Sequence, residues 1–248
     1  MIREDNILKD VFVATCDNFV ALEGIDGCGK TTIISKLKKE YPEIFYTREP
    51  GGTAFASDIR TAIIESDNKD AYGMTLGMGI SRLHNMLENY DIFTNKEKHI
   101  VSDRWVMSNL VYQQAYDDSI LKNGKTFTKS SLELAVELQH LMNDYLDHTL
   151  NPIYIYLHIC PETSLARQAD KTDKDKMDKV TLKERTLIAE VYESLIAKGV
   201  FGKVKSIEEM NTCMDTLGVG VIYIDANKDF DTVYANVVKA IKLCFNIK

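Results

Sequence analysis

Short apolar runs and helical stripes alternate along this chain. Five runs are short and rich in β-branched or aromatic residues: 19–23, 44–47, 99–102, 152–159 and 221–225. A short run that is apolar throughout predicts a strand buried on both faces. Between the runs, apolar positions recur at helical spacing. After Lys30, the residues Ile33, Ile34, Leu37 and Tyr41 share one face. Further on come Ala56, Ile59 and Ile63, then Leu83, Met86, Leu87 and Tyr90, then Leu134, Leu138, Leu141, Met142 and Tyr145. A last helical pattern opens after Asp229, a residue type that caps helix N-termini.

This alternation predicts an α/β fold, a parallel sheet with helices on both faces. Three stretches stand outside it. Residues 1–17 are a polar lead-in with one apolar patch, the place for an extra edge strand. Residues 117–127 read as a loop around Asn123-Gly124, and residues 202–220 are ambiguous, with room for a short helix. No repeat or low-complexity linker divides the 248 residues, so the expectation is an N-terminal extension, 1–18, and one domain, 19–248.

Composition narrows the classes of function. An apolar share of 45% allows a substantial core, and no run approaches the roughly eighteen apolar residues of a spanning helix. The opening MIREDNILKD carries acids and lacks the apolar centre of a secretory signal. The expectation is a cytoplasmic protein with no membrane partner. Five scattered cysteines without C-x-x-C spacing imply neither a disulfide framework nor a zinc site. A net charge of −7 argues against polymeric nucleic acid but leaves room for small anions in a local arginine-lined cleft.

The candidate chemistry begins where the first strand hands over to a helix. There Gly24-x-x-x-x-Gly29-Lys30-Thr31 fits the phosphate-binding loop, in the strand-before, helix-after setting that the motif requires. Its glycines let the backbone curl with N–H groups inward, an anion nest at a positive helix end. Lys30 offers a cation to the terminal phosphates, and the Thr31 hydroxyl suits magnesium. A nucleoside triphosphate is the expected ligand.

A second ligand should lie beyond the carboxyl ends of the strands. Arg48 emerges there, before the bend at Pro50-Gly51-Gly52, and Asp103-Arg104 closes the third run. Asp103 suits the orientation of magnesium-bound water, and Arg104 suits a bidentate grip on phosphate. Ser108, Asn109 and Tyr112 follow on the opening turns of a helix, and Arg82 adds a third arginine.

Phe-x-x-x-Glu-Gly-x-Asp-Gly-x-Gly-Lys-Thr-Thr (19–32), Thr-Arg-Glu-Pro-Gly-Gly-Thr (47–53) and Asp-Arg-Trp-x-x-Ser-Asn-x-x-Tyr-Gln (103–113) together resemble the thymidylate kinases, over about residues 19–245. The resemblance implies a P-loop nucleoside monophosphate kinase with a five-stranded parallel sheet, a mobile lid at about 167–179 and, usually, a homodimer. It implies magnesium-dependent transfer of the ATP γ-phosphate to dTMP. Carried over by position, Gly24, Ile25, Asp26, Gly27, Cys28, Gly29, Lys30, Thr31 and Thr32, with Arg167, hold ATP. Thr31 and Asp103 serve Mg2+. Arg48, Arg104 and Asp26 lie at the acceptor phosphate and sugar, with Pro50 and Ser108 beside them. Arg82 and Asn109 match thymine contacts, and Tyr112 matches the wall that disfavours ribose.

Two departures are informative. Gly27 stands where some relatives carry an arginine, and the lid offers only Lys171, Lys174, Lys176 and Lys179 after Arg167. Lys171 is the candidate replacement, although a lysine lacks the arginine fork. Met78 stands where many relatives use phenylalanine to stack on thymine, which loosens the expected shape selection. The alternatives are a deoxynucleoside kinase, a broader deoxypyrimidine monophosphate kinase and a catalytically silent nucleotide-binding module.

Overall fold

A computed structural model of the chain describes residues 8, 11–66, 70–121, 130–169, 180–212 and 219–247. Six strands, β1 (Phe19–Glu23), β2 (Phe45–Arg48), β3 (Ile100–Asp103), β4 (Ile153–His158), β5 (Lys203–Ser206) and β6 (Val219–Asp225), form one sheet in the order β2-β3-β1-β4-β6-β5. Every ladder is parallel. The helices are α1 (Lys30–Glu40), α2 (Ala54–Glu65), α3 (Ala71–Glu88), α4 (Tyr90–Thr94), α5 (Val106–Leu121), α6 (Ser131–Leu146), α7 (Pro161–Ala169), α8 (Leu182–Ala197), α9 (Ile207–Thr212) and α10 (Phe230–Cys244).

The five-stranded expectation is corrected to six. The added strand, β5, reads KVKS and lies at the sheet edge, with Lys203 exposed and Lys205 half-buried. Edge strands guard their open side with charge, so this one lacked the apolar signature of a buried strand. The lead-in forms no strand among its described residues. It plugs the base of the sheet instead: Leu8 and Phe12 are buried, Phe12 packs on Phe201, and Asn151 Nδ2 donates to the carbonyls of Val11 and Val13 at 2.9 and 3.1 Å.

β1 is buried at all five positions and lies between β3 and β4, as its apolar run predicts. Register then places the strand ends. Leu22 pairs with Asp103, and Asp103 with Arg48, so β1, β2 and β3 finish side by side at one edge.

α3 contradicts simple propensity, since it carries Gly73, Gly77 and Gly79 inside eighteen helical residues. The reason is close packing. A Cβ at Gly77 would come within 2.4 Å of Ile63 on α2, and one at Gly79 within 3.1 Å of Leu138 on α6. The apolar faces read from sequence also bury less than expected. Leu87, Tyr90, Leu141 and Tyr145 are exposed, while Met86, Leu134 and Met142 are buried.

Candidate active site

The loop after β1 ends at Gly29, which caps α1 in a left-handed conformation with φ 101° and no side-chain cap. The first amides of α1 therefore face the cleft. Gly24 has φ 137°, and a Cβ there would sit 2.6 Å from the carbonyl oxygen of Leu157 on β4, so only glycine fits. Lys30 is buried and donates from Nζ to the carbonyls of Gly24 at 2.7 Å and Ile25 at 3.2 Å, with Cys28 Sγ 3.3 Å away. Its charge is thus held against the loop whose phosphates it would meet.

Arg104, just past β3, adopts φ 68°, a strained value for a side chain of its size. Its fork reaches back across the loop. Nη2 donates to Asp26 Oδ1 at 2.5 Å, and Nη1 donates to Ser108 Oγ at 2.8 Å and Gly24 O at 3.1 Å. Tyr112 OH donates to Asp26 Oδ2 at 3.2 Å. Burial alone would raise the Asp26 pKa, but the charges of Arg104 and Lys30 outweigh it and hold the carboxyl below its ordinary range.

Beneath this pair lies Glu23, fully buried at the end of β1. Oε1 accepts from the N–H groups of Trp105 at 2.8 Å and Ser108 at 3.2 Å. Oε2 accepts from Ser108 Oγ at 2.5 Å and Tyr192 OH at 2.9 Å. Burial pushes the Glu23 pKa up against the pull of Arg104 and these hydrogen bonds. The carboxylate thereby joins β1 to the start of α5 and fixes the hydroxyl that supports Arg104.

A cleft of about 1000 Å³ runs from the loop towards α2, α3 and α5. One end is lined by Thr31, Thr32, Arg167, Lys228 and Phe230; Arg167 donates to the carbonyls of Ala226 and Lys228 at 3.0 and 3.3 Å. The other end is lined by Arg48, Pro50, Arg60, Ile64, Met74, Met78, Asn109 and Gln113. Asn109 Oδ1 and Gln113 Oε1 are buried without a hydrogen-bond partner among the described residues. These amides lie one helical turn apart and offer unused acceptors to a ligand's N–H groups.

The cleft brings together Asp26, Gly27, Cys28, Gly29, Lys30, Thr31, Thr32, Arg48, Pro50, Met78, Asp103, Arg104, Ser108, Asn109, Tyr112 and Arg167. Gly24 and Ile25 lie behind its surface and meet Lys30 through their carbonyls. Arg82 is placed elsewhere. It is 2% exposed, does not line the cleft, and is bidentate to Glu49 at 2.8 and 2.5 Å. With Ser81 accepting from Gly51 N and Asn85 bonded to Thr47, Arg82 clamps the segment that carries Arg48. Lys171, Lys174, Lys176 and Lys179 lie outside the described residues.

Sequence reasoning assigned no role to Glu23, Glu49, Gln113 or Tyr192. A signal existed for Glu49, whose partner Arg82 shares a helix face with Ser81 and Asn85. Nothing in the sequence shows that Tyr192, on α8, reaches Glu23.

Comparison with known proteins agrees with this geometry. The family model for thymidylate kinase matches residues 22–212. A thymidylate kinase of Bacillus pumilus is 30% identical over 233 residues, covering 90% of this chain and 94% of its own length. One from Acholeplasma laidlawii is 28% identical, covering 87% and 94%. Among solved structures, deoxyadenosine kinase from M. mycoides with bound dATP superposes with a TM-score of 0.58 at 16% identity, over 90% of this chain and 99% of that one. That likeness concerns the fold alone. The family match and the curated relatives show that the chain belongs to the thymidylate kinase family of phosphotransferases.

Proposed function

We propose that the protein transfers the γ-phosphate of ATP to dTMP, giving dTDP and ADP. The observation that carries this reading is one cleft with a phosphate loop at one end and two arginines, Arg48 and Arg104, before an apolar and amide-lined pocket at the other. Such a cleft suits two phosphorylated ligands facing each other.

Phosphoryl transfer requires alignment and charge neutralisation more than covalent help. Lys30 and the loop amides hold the donor phosphates. Arg104, braced by Asp26 and Ser108, and Arg48 hold the acceptor phosphate. The attacking oxygen is already anionic, so no strong base is needed. Met78, Met74 and Ile64 cover the base, Asn109 and Gln113 read its edge, and Arg82 supports the Arg48 segment through Glu49.

The donor set fits magnesium. Thr31 and Asp103 both line the cleft with hard oxygens, and the described residues contain no group of three or more His, Cys, Asp or Glu side chains able to hold a metal. Magnesium is characteristically held by one or two protein oxygens plus phosphates and water. When bound, it neutralises charge on the transferring phosphates.

We infer a homodimer through α3 and α6, where Leu76, Ile80, Leu141 and Tyr145 form an exposed apolar face. We also infer a cytoplasmic location from the two substrates. Purified protein with ATP, Mg2+ and a panel of deoxynucleosides and deoxynucleoside monophosphates tests the activity. The expected result is ADP plus dTDP, with dTMP the best acceptor. Turnover of deoxynucleosides instead, or of no acceptor, would overturn the reading.

A further inference from the structure

Arg185, on α8, is 2% exposed, and its guanidinium lies beneath the phosphate loop. Nη1 donates to Ser164 Oγ at 2.9 Å and to the Asp26 carbonyl at 3.3 Å. Nη2 donates to Gln168 Oε1, and Nε donates to the Val180 carbonyl at 3.2 Å. Ser164 Oγ in turn donates to the Asp26 carbonyl. That one carbonyl therefore receives a charged donor and a hydroxyl that the same cation polarises.

The Asp26 carbonyl shares its peptide unit with the Gly27 N–H. Gly27 lines the cleft, and its amide donates to no protein carbonyl among the described residues. A hydrogen bond at one end of a peptide polarises the unit and strengthens the donor at the other, more so in a low-dielectric interior. Position 27 has no room for a side chain of its own. It has φ 85°, and a Cβ would lie 2.7 Å from the Ser164 carbonyl oxygen. Charge at this corner of the loop has to come from below.

We propose that Arg185 is a positioning residue for the phosphate chain of the nucleoside triphosphate, acting through the Asp26–Gly27 peptide. The proposal rests on the reading that the loop holds ATP phosphates. A plain brace between α7 and α8 would not need a buried guanidinium, which loses hydration that a methionine would not.

The test is calorimetric binding of ADP, inorganic tripolyphosphate and dTMP to wild type, R185M, R185K and S164A, with a melting curve for each. R185M is expected to weaken ADP and tripolyphosphate alike, on the order of tenfold, the range of a charge-assisted hydrogen bond. dTMP binding should stay within about twofold, a margin well below that of one charge-assisted hydrogen bond. R185K should fall between, and S164A should weaken the same two ligands by less than R185M does. Unchanged binding of both phosphate ligands, with or without a lower Tm, would make Arg185 a structural brace and overturn the proposal. An equal loss of dTMP binding would overturn it too, as general loosening. If R185M does not fold, R185K and S164A decide by the same criterion. A wild-type protein that binds neither ADP nor tripolyphosphate would sink the phosphate-loop reading itself, and this proposal with it.

Discussion

Arg104 Nη2 donates to Asp26 Oδ1 at 2.5 Å, tying the end of β3 to the phosphate loop. Because the folded-state pKa of Asp26 lies below its ordinary value, the pair adds stability that is full above about pH 4, the unfolded range of an aspartate. That contribution is lost as pH falls through the folded value. Asp26→Asn should therefore be less stable than wild type at pH 7 by about 1 kcal/mol, since the pair is partly exposed. The gap should narrow on acidification below about pH 4. Urea titrations at pH 7 and pH 3 measure both, and an undiminished gap in acid would refute the pair's contribution.

Lys30→Ala should fold normally and lose activity on the order of 10²–10³-fold, the usual effect of removing one electrostatic donor from a transferring group. Steady-state kinetics beside a melting curve checks this. Near-normal turnover would remove Lys30 from the mechanism.

The two acceptor arginines should separate by stability. Arg48 is exposed, so Arg48→Ala should raise the KM for dTMP and leave Tm unchanged. Arg104→Ala should raise the same KM and also destabilise the fold, because Arg104 carries the network to Asp26, Ser108 and Gly24. Arg104→Gly should be more stable than Arg104→Ala by about 1 kcal/mol, since glycine adopts φ 68° freely. Loss of ATP affinity instead, with an unchanged KM for dTMP, would reverse the assignment.

Met78 lines the cleft beside Met74 and Ile64, whereas the glycines flanking it are filled by Ile63 and Leu138. A larger ring at position 78 must therefore find its space in the cleft itself. Met78→Phe is expected to raise the dTMP/dUMP ratio of kcat/KM several-fold, less than the roughly 10–200-fold that a whole methyl group is worth in an apolar pocket. An unchanged ratio in a folded variant would place Met78 outside the base pocket.

Ile80→Asp on the outer face of α3 should give monomers at concentrations where the wild type is dimeric. Sedimentation velocity decides, and a wild-type monomer would refute the interface.

The fold was most legible where burial was complete. β1 has the bounds its run implies, 19–23, because a strand covered on both faces stays apolar up to its closing residue, Glu23. β5 was not legible, because an edge strand carries charge that reads as loop. The helical α3 was obscured by glycines whose merit is contact with other helices, invisible to local propensity. Within the site, motif spacing marked the residues that face the cleft. It was silent on Glu23, Arg185 and the partnership of Arg82 with Glu49, since charged residues read as solvated until tertiary packing shows them buried.

The parallel order of the sheet has a consequence for how the chain reaches this state. Phe19 lies beside Ile100, and Val20 beside Ile153, so the central strand must wait for partners far along the chain. At roughly 5–20 residues per second of synthesis, β1 is made on the order of ten seconds before β4 emerges. Until β3 is made, an apolar strand that ends buried on both faces has neither neighbour, and until β4 follows it has only one. Non-local pairings of this kind slow folding and leave sticky intermediates. Yield of the native enzyme is therefore governed by what shields β1 during synthesis, a demand set by strand order and independent of any residue in the cleft.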